Sequence, residues 1–132
     1  MAINDHVSNM LTRIRNAQVA RFEQVELPST KVLEQIARIL KEEGFVKNFR
    51  VIPDPKQASL RIYLRSTSAD GYAIKGLKRV SRPGRRVYVG KDDIPPVKSG
   101  FGISILSTSR GVMTGEKAKQ LSIGGEILCQ VW

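Results

Sequence analysis

The sequence is poor in the residues that carry most covalent and metal chemistry. It contains one cysteine, Cys129, and one histidine, His6. A single cysteine cannot form an intramolecular disulfide, and a lone histidine outside any motif builds neither a catalytic triad nor an imidazole metal site. Cys129 lies in an apolar, strand-like segment, which is typical of a buried, inert thiol in a reducing compartment. We therefore expect no catalytic residue, no metal site, no cofactor and no small-molecule substrate.

Long apolar runs are also missing. No stretch approaches a membrane-spanning length, and the amino-terminal segment lacks the uninterrupted apolar core of a signal peptide. The chain of 132 residues is 41% hydrophobic, which suffices for one domain or for two small lobes that share a core. We expect a folded, cytoplasmic protein without a membrane partner.

Negative charge is absent from segment 71–91 of a chain whose net charge is +10. Cations spaced along strands can follow a phosphate backbone, and a tyrosine can stack on a base. The alternative is a solvated charged surface, but so long an acid-free segment favours nucleic acid as the partner. The cations of the segment are Lys75, Lys78, Arg79, Arg82, Arg85, Arg86 and Lys91, and its tyrosines are Tyr72 and Tyr88.

Three consecutive hydroxyl residues, Ser107, Thr108 and Ser109, follow an apolar strand in segment 102–111. Short hydroxyl side chains can reach phosphate oxygens, sugar hydroxyls and base edges. Alternatively, they satisfy the backbone of their own turn, which is the commoner role. Beside the basic segment, the cluster indicates an RNA-binding loop.

The segment before the last strand contains Gly124, Gly125 and Glu126. The glycines form either a plain turn or a place where the backbone approaches a ligand closely. Glu126 is an acid on a cationic surface, and three roles are open to it. It orients the serines, accepts a hydrogen bond from a base amino group, or lies in solvent.

A superficial phosphate-binding loop is present at Gly84, Gly90 and Lys91. It has one intervening residue too many, and Asp92 stands where a Ser or Thr would bind magnesium. The segment therefore does not predict a nucleotide site.

The periodicity predicts an α+β fold, with an N-terminal α/β lobe (two helices on a small sheet, 1–66) and a mostly β C-terminal lobe with one short helix (67–132). We place the boundary in the small, polar segment 66–71. Asn4 or Asp5 caps the first helix. Ser29 caps the second, which points Val32, Ile36, Ile39 and Leu40 inward and ends at Gly44. Strands are expected at 22–27, 46–52, 59–65, 72–80, 86–89, 102–106 and 126–132, and a helix capped by Thr114 at 115–120.

Segments 5–17, 40–45, 76–84 and above all 107–132 are similar to a known family. The last contains Ser-Thr-Ser-x-Gly-x-Met-Thr and ends in Gly-Gly-Glu-x-Leu-Cys-x-Val-Trp. The chain resembles small-subunit ribosomal protein eight of the bacterial type. The resemblance implies a protein that binds the central domain of small-subunit ribosomal RNA as a primary binder. Such a protein aids the assembly of that RNA and contacts neighbouring small-subunit proteins. Some members also repress their own operon by binding its messenger RNA.

The resemblance also implies two groups of RNA-binding residues. The β lobe would grip a stem that contains an internal loop, and the α/β lobe would touch a neighbouring RNA helix. The first group is Ser107, Thr108, Ser109, Tyr88, Gly124 and Glu126, to which the basic segment adds Arg86 as a phosphate contact. The second group is Asp5, Thr12, Arg15, Asn16, Lys31 and Lys56.

Two other functions compete with this interpretation. An enzyme could hold a phosphorylated substrate in the hydroxyl loop, but the acid–base pair that it needs is missing. A general RNA chaperone or DNA-packaging protein could bind by charge alone, but it would need neither the serine loop nor Glu126.

Overall fold

The computed structural model describes residues 5–67, 71–97 and 101–132. These residues form helices and antiparallel sheets, so the predicted α+β class is confirmed. The helices are α1 (His6–Val19), α2 (Lys31–Glu42) and α3 (Gly115–Gln120). The strands are β1 (Gln24–Pro28), β2 (Val46–Ile52), β3 (Ser59–Leu64), β4 (Ser66–Thr67), β5 (Gly71–Tyr72), β6 (Leu77–Arg79), β7 (Tyr88–Val89), β8 (Ile103–Thr108), β9 (Gly111–Thr114) and β10 (Gly125–Val131).

The chain packs as two compact units. One is Asn9–Lys75, and the other is Gly76–Trp132 together with the start of the chain up to Ser8. Part of the predicted boundary, residues 68–70, lies outside the described residues, as does the alternative cap Asn4. The domain division at residue 66 stays a prediction.

The sheet of the first unit is antiparallel, with the strand order β1-β3-β2. In β3, Leu60, Ile62 and Leu64 are buried on one face, as the alternation predicts, while Arg61 and Tyr63 point to the other face. Helix α2 packs against β2 and β3. The buried side chains of the helices complete this core: Met10, Leu11, Ile14, Ala17, Leu33, Ile36, Ala37, Ile39 and Leu40.

The start of α2 differs from the prediction. Thr30, not Ser29, caps the helix, because its side chain accepts a hydrogen bond from the Leu33 backbone N–H at 3.2 Å. The Ser29 hydroxyl instead donates to Glu34 Oε1 at 2.8 Å. Two adjacent hydroxyl residues suit the cap equally well, so the sequence pattern could not separate them. The inward position is likewise Leu33, which is 1% exposed, and not Val32, which is 40% exposed.

The end of α2 follows the prediction. Gly44 has a φ of +82°, in the left-handed region that glycine adopts at low cost. The Phe45 backbone N–H then donates to the Leu40 carbonyl at 2.8 Å, which satisfies one of the free carbonyls of the last helical turn.

The sheet of the second unit has β10 near its centre. Along the described residues the strand order is β6-β10-β8-β9, and β7 also pairs with β10. Helix α3 packs on β8 and β9, and Thr114 caps it by accepting from the Lys117 N–H at 3.2 Å, as predicted. The core beneath this sheet is formed by Leu106, Met113, Ala118 and Ile127.

Two strand predictions in the basic and hydroxyl segments were wrong. The single strand at 72–80 is two short strands, β5 and β6. Gly76 interrupts it: its N–H donates to the Trp132 carbonyl at 2.9 Å, and a Cβ there would lie 2.2 Å from the Trp132 ring. Strand β9 was missed because its four residues are recognisable only through their pairing with β8. Strand β4 was also not predicted, because its two residues lie in the segment taken as the boundary. The remaining strands match their predicted bounds to within two residues.

Substitution of Gly44 by alanine tests the end of α2. A Cβ at this φ is strained and would lie 3.2 Å from Arg65 Nη1, so we expect a loss of about 1–2 kcal/mol in the free energy of unfolding. Gly84→Ala is the matched control, since a Cβ there meets nothing within 4 Å. Urea unfolding of both variants measures the effect, and equal stabilities would contradict the assignment.

Candidate functional site

One row of side chains crosses the sheet of the second unit. Glu126 of β10 lies opposite Tyr88 of β7 on one side and opposite Ser107 of β8 on the other. Directly opposite residues in antiparallel strands point to the same face. Tyr88, Glu126 and Ser107 therefore form a row on one face, called the β10 row here. The adjacent pair Leu106 and Ile127 points to the other face and into the core.

The Glu126 carboxylate is held by two partners. The Ser81 hydroxyl donates to its Oε2 atom, and Arg86 Nη1 lies 3.1 Å from the same oxygen. The Ser81 hydroxyl also accepts from the Val87 N–H at 3.2 Å. Ser81 is fully buried, and the Glu126 side chain is only 15% exposed. Glu126 is thus fixed by the protein, and the alternative of a freely solvated acid is excluded.

Exposed cations lie on β6 and on the turn that precedes β7. Arg82 and Arg85 form the two ends of a tight turn in which each backbone N–H donates to the other's carbonyl, at 3.0 and 2.9 Å. Both side chains are exposed, as is Lys78 on β6. Arg86 is half-exposed and bound to Glu126. The surface beside the β10 row is therefore cationic, with Glu126 offsetting only part of the charge.

The two glycines before Glu126 allow close packing of strands. A Cβ at Gly124 would lie 2.2 Å from the Val89 carbonyl oxygen, and one at Gly125 would lie 2.3 Å from the Ser107 carbonyl oxygen. The glycines therefore allow close approach of neighbouring strands, and approach of a ligand to them stays a prediction. This packing brings Tyr88, 69% exposed, to the edge of the row.

The three hydroxyls of the β8–β9 hairpin differ in their surroundings. Thr108 Oγ1 donates to the Gly111 carbonyl at 2.8 Å and accepts from the Arg110 N–H at 3.1 Å, so it stabilises its own turn. Ser109 is exposed at the tip, and Ser107 is partly exposed in the row. Among the described residues, neither serine hydroxyl has a hydrogen-bond partner. The cluster thus combines one structural hydroxyl with two that face solvent.

Asp5 caps α1, as predicted. Its carboxylate accepts from the Ser8 N–H at 3.0 Å and from Arg79 Nε at 3.2 Å. Burial raises the pKa of this carboxyl, but the hydrogen bonds from Ser8 and the Arg79 guanidinium outweigh burial and lower the pKa below its usual 3.8. Asp5 is therefore already bound within the protein, and its contact with RNA stays a prediction.

The remaining predicted residues lie on the surface of the first unit. The turn that contains Lys56 is joined to the start of α2, where Lys31 lies: the Ser29 N–H donates to the Ala58 carbonyl at 2.8 Å, and Gln57 Nε2 donates to the Ser29 carbonyl at 3.0 Å. All of these residues are exposed, and their RNA contacts remain predictions: Thr12, Arg15 and Asn16 on α1, and Lys31 and Lys56 at the joined segments.

Sequence reasoning missed Ser81 as a positioning residue. It is 45 positions from Glu126 along the chain, so no local pattern connects the two. It also missed Arg79, which reaches back to Asp5 across 74 positions. The sequence carried only an indirect signal for these two residues, because both stand in the acid-free segment just before a Pro-Gly turn.

Within residues 5–67, 71–97 and 101–132, no group of three or more His, Cys, Asp or Glu side chains is placed to hold a metal ion. No helix in these ranges has the length and apolar character that crossing a membrane requires. Burial raises the pKa of the Cys129 thiol to about 12, so the thiolate that a nucleophile would need is scarce.

Comparison with known proteins identifies the class. The family model of ribosomal protein S8 matches residues 5–132. Proteins named small ribosomal subunit protein uS8 are 51% identical in Geobacter metallireducens, 49% in Syntrophobacter fumaroxidans and 52% in Caldicellulosiruptor bescii, each over 100% of both chains. The protein is thus a ribosomal protein, a structural component and not an enzyme.

More particularly, the chain belongs to the ribosomal protein S8 family. The family resemblance found in the sequence and the expectation of a non-enzymatic protein are both confirmed by this membership.

Substitution of Asp5 by asparagine tests the capping network. The pKa of Asp5 is lower in the folded protein than in the unfolded chain. Its contribution to stability is therefore fully present above the pKa of the unfolded chain, and it is lost as the pH falls through the pKa of the folded protein. Asparagine keeps a capping oxygen but not the charge. We expect Asp5→Asn to lower the free energy of unfolding by about 0.3–1 kcal/mol at neutral pH, because the start of α1 and Arg79 lose an anionic partner, and we expect this deficit to shrink as the pH falls below 3.8. Denaturant unfolding across pH measures it.

The control is Glu43→Gln, an exposed acid at the end of α2. It should change stability little at any pH. A deficit of Asp5→Asn that stays constant down to the lowest pH would contradict the role of the ionised carboxylate.

Proposed function

We propose that the chain is a structural constituent of the small ribosomal subunit that binds ribosomal RNA directly and aids its assembly. The β10 row and the serine hairpin would grip a stem in the central domain of the RNA. Family membership and the names of the relatives support this proposal. The single observation that carries the site is the fixed Glu126, which stands between the exposed Tyr88 and Ser107.

The proposed mechanism divides binding between charge and shape. Lys78, Arg82 and Arg85 are exposed and attract phosphates, which makes the affinity depend on salt. This attraction is blind to sequence, so it concentrates RNA at the surface without selecting a site.

Shape is read by the hydroxyls and the ring. An A-form helix presents a wide, shallow minor groove lined with 2′-hydroxyls, and the short Ser107 and Ser109 side chains can enter it. Tyr88 can stack on an unpaired base of an internal loop. Glu126 Oε1 has no hydrogen-bond partner among the described residues and can accept from a base amino group, while Oε2 stays with Ser81 and Arg86.

The first unit would add a contact with a neighbouring RNA helix. Lys31 and Lys56 stand on joined segments and offer two phosphate contacts from one small area. Thr12, Arg15 and Asn16 on α1 would provide hydroxyl, guanidinium and amide groups for backbone oxygens. Asp5 would act indirectly, by holding the start of that helix.

Further partners follow from this placement. On the ribosome, in the cytoplasm, the chain would contact neighbouring small-subunit proteins. A stem in its own messenger RNA that reproduces the ribosomal site would bind the same β10 row. Such binding would repress translation of its own operon.

Two substitutions distinguish recognition of the RNA shape from attraction of phosphates by charge. Ser109→Ala should weaken binding to a central-domain stem by about 2- to 10-fold, because one hydrogen bond is lost. It should barely change binding to arbitrary duplex RNA. Arg85→Ala should weaken both alike and reduce the salt slope by up to about 0.9. Filter binding at several salt concentrations, with excess tRNA as competitor, measures both.

Equal losses for the two RNAs in Ser109→Ala would contradict shape recognition. Loss of all stem binding under tRNA competition would favour a general RNA chaperone that binds by charge alone. Survival of stem binding under that competition supports the proposed site.

A further inference from the structure

The outer face of the three-stranded sheet in the first unit has a composition that the proposed site does not use. In one row across the strands, Tyr63 lies between Gln24 and Asn48. In the next row, Arg61 lies between Glu26 and Arg50. The interleaved positions, such as Ile62, face the core. An aromatic ring thus stands among amides and guanidiniums on the face away from the core.

Positive charge is in excess on this face. Arg61 Nη2 lies 3.4 Å from Glu26 Oε1, with the two side chains 31% and 48% exposed, so this acid offsets one cation. Arg50 and Lys47 remain, and both are exposed. Arg61 Nε is buried and has no hydrogen-bond partner among the described residues.

Both guanidiniums are neighbours of the tyrosine on this face, since Arg61 is two positions before it on β3 and Arg50 lies opposite Arg61. Hydrogen bonding from Arg61 lowers the pKa of the Tyr63 phenol, and Arg50 adds to this effect. Two cationic side chains next to one ring create a region of positive potential beside it. A phosphate oxygen fits such a region, because guanidinium groups bind phosphate through paired N–H donors.

The surface is also shaped. Lys47, Asn48, Arg50 and Tyr63 line a shallow depression of about 390 Å³. The register of β2 against β3 shifts between Val46 and Asn48, which makes Lys47 the extra residue of a β-bulge. Bulges redirect a side chain relative to the regular strand, so Lys47 borders the depression instead of following the alternation.

We propose that this outer face, called the Tyr63 face, binds a single-stranded RNA segment. One base stacks on the Tyr63 ring, the amides of Gln24 and Asn48 meet base edges, and Arg50 and Lys47 hold the flanking phosphates. Aromatic rings on an open sheet, flanked by cations, are a general means of binding unpaired nucleotides. This inference rests on the proposed function only in taking RNA as the partner, and it concerns a different surface.

RNA is favoured over an acidic peptide by the tyrosine row. A peptide of Asp and Glu would be bound by the cations alone and would leave the ring and both amides without a role. Unpaired nucleotides use all three groups, since each nucleotide carries a flat base, hydrogen-bonding edges and a phosphate.

The test uses the full chain and a fluorescently labelled ten-nucleotide uridine strand, with anisotropy measured at several salt concentrations. All proteins carry Tyr88→Leu, so that stacking at the β10 row does not contribute. In this background Tyr63→Leu should weaken binding about fivefold or more, and Tyr63→Phe, which keeps the ring, should stay close to the parent. Arg50→Gln should reduce the salt slope by up to about 0.7.

The matched control is Arg38→Gln on α2. Arg38 lies 3.4 Å from Glu42, at the same distance as the Arg61–Glu26 pair, and is 50% exposed. Its loss removes the same charge from the same unit and should leave uridine binding nearly unchanged. Ultraviolet crosslinking of the strand should label the peptide that contains Tyr63, a readout that does not require a Tyr63 variant to fold.

The inference is overturned if Tyr63→Leu binds uridine like its parent and no crosslink reaches the Tyr63 peptide. It is also overturned if polyglutamate displaces the strand while only Arg50→Gln weakens binding, because the face would then be a surface for acidic protein. The effect of Tyr88→Leu alone on binding of the central-domain stem reports on the proposed function separately.

Discussion

The buried hydrogen bond from Ser81 to Glu126 is the interaction on which the second unit's surface depends. It joins the loop after β6 to the start of β10, and the Val87 N–H, which donates to the same serine, brings in the chain just before β7. Arg86 binds the same carboxylate oxygen from the solvent side. The Ser81 hydroxyl thus links three chain segments, and the acid that it holds lies between Tyr88 and Ser107.

This arrangement has an electrostatic cost that the partners offset. A carboxylate that is 15% exposed loses most of its hydration, and the Ser81 hydroxyl and the Arg86 guanidinium replace it. The carboxylate also holds the Arg86 guanidinium in one orientation, while its Oε1 atom has no hydrogen-bond partner among the described residues. A cationic surface that also carries a fixed acceptor can discriminate among anionic partners, which an array of mobile lysines cannot do. The proposed recognition of an RNA stem relies on this fixed acceptor.

The elements that the sequence predicted well are those with local signals. Gly44 ended α2 and Thr114 began α3 because a glycine with positive φ and a capping hydroxyl act within a few residues of chain. The errors came from competition or distance. Ser29 and Thr30 competed for one cap, and the interruption at Gly76 depends on Trp132 at the far end of the chain.

The same distinction applies to the candidate site. Composition alone pointed to the hydroxyl cluster, the basic segment and Glu126, since each is visible as a run of residue types. Composition could not reveal that Thr108 stabilises its own turn, that Ser81 fixes Glu126, or that Arg50 and Arg61 lie beside Tyr63 on one face. Each of these depends on strand register, which brings together residues that are distant or unremarkable in sequence.

Chemical footprinting of complete small-subunit ribosomal RNA, with the wild-type chain and with Ser81→Ala, tests the central claim most directly. The account predicts protection of one localised stem in the central domain by the wild type. It predicts that Ser81→Ala, which removes the buried partner of Glu126 and leaves only Arg86, weakens that protection while keeping the fold, as circular dichroism would report. Protection spread over many unrelated helices, or a footprint that Ser81→Ala leaves unchanged at limiting protein, would contradict it.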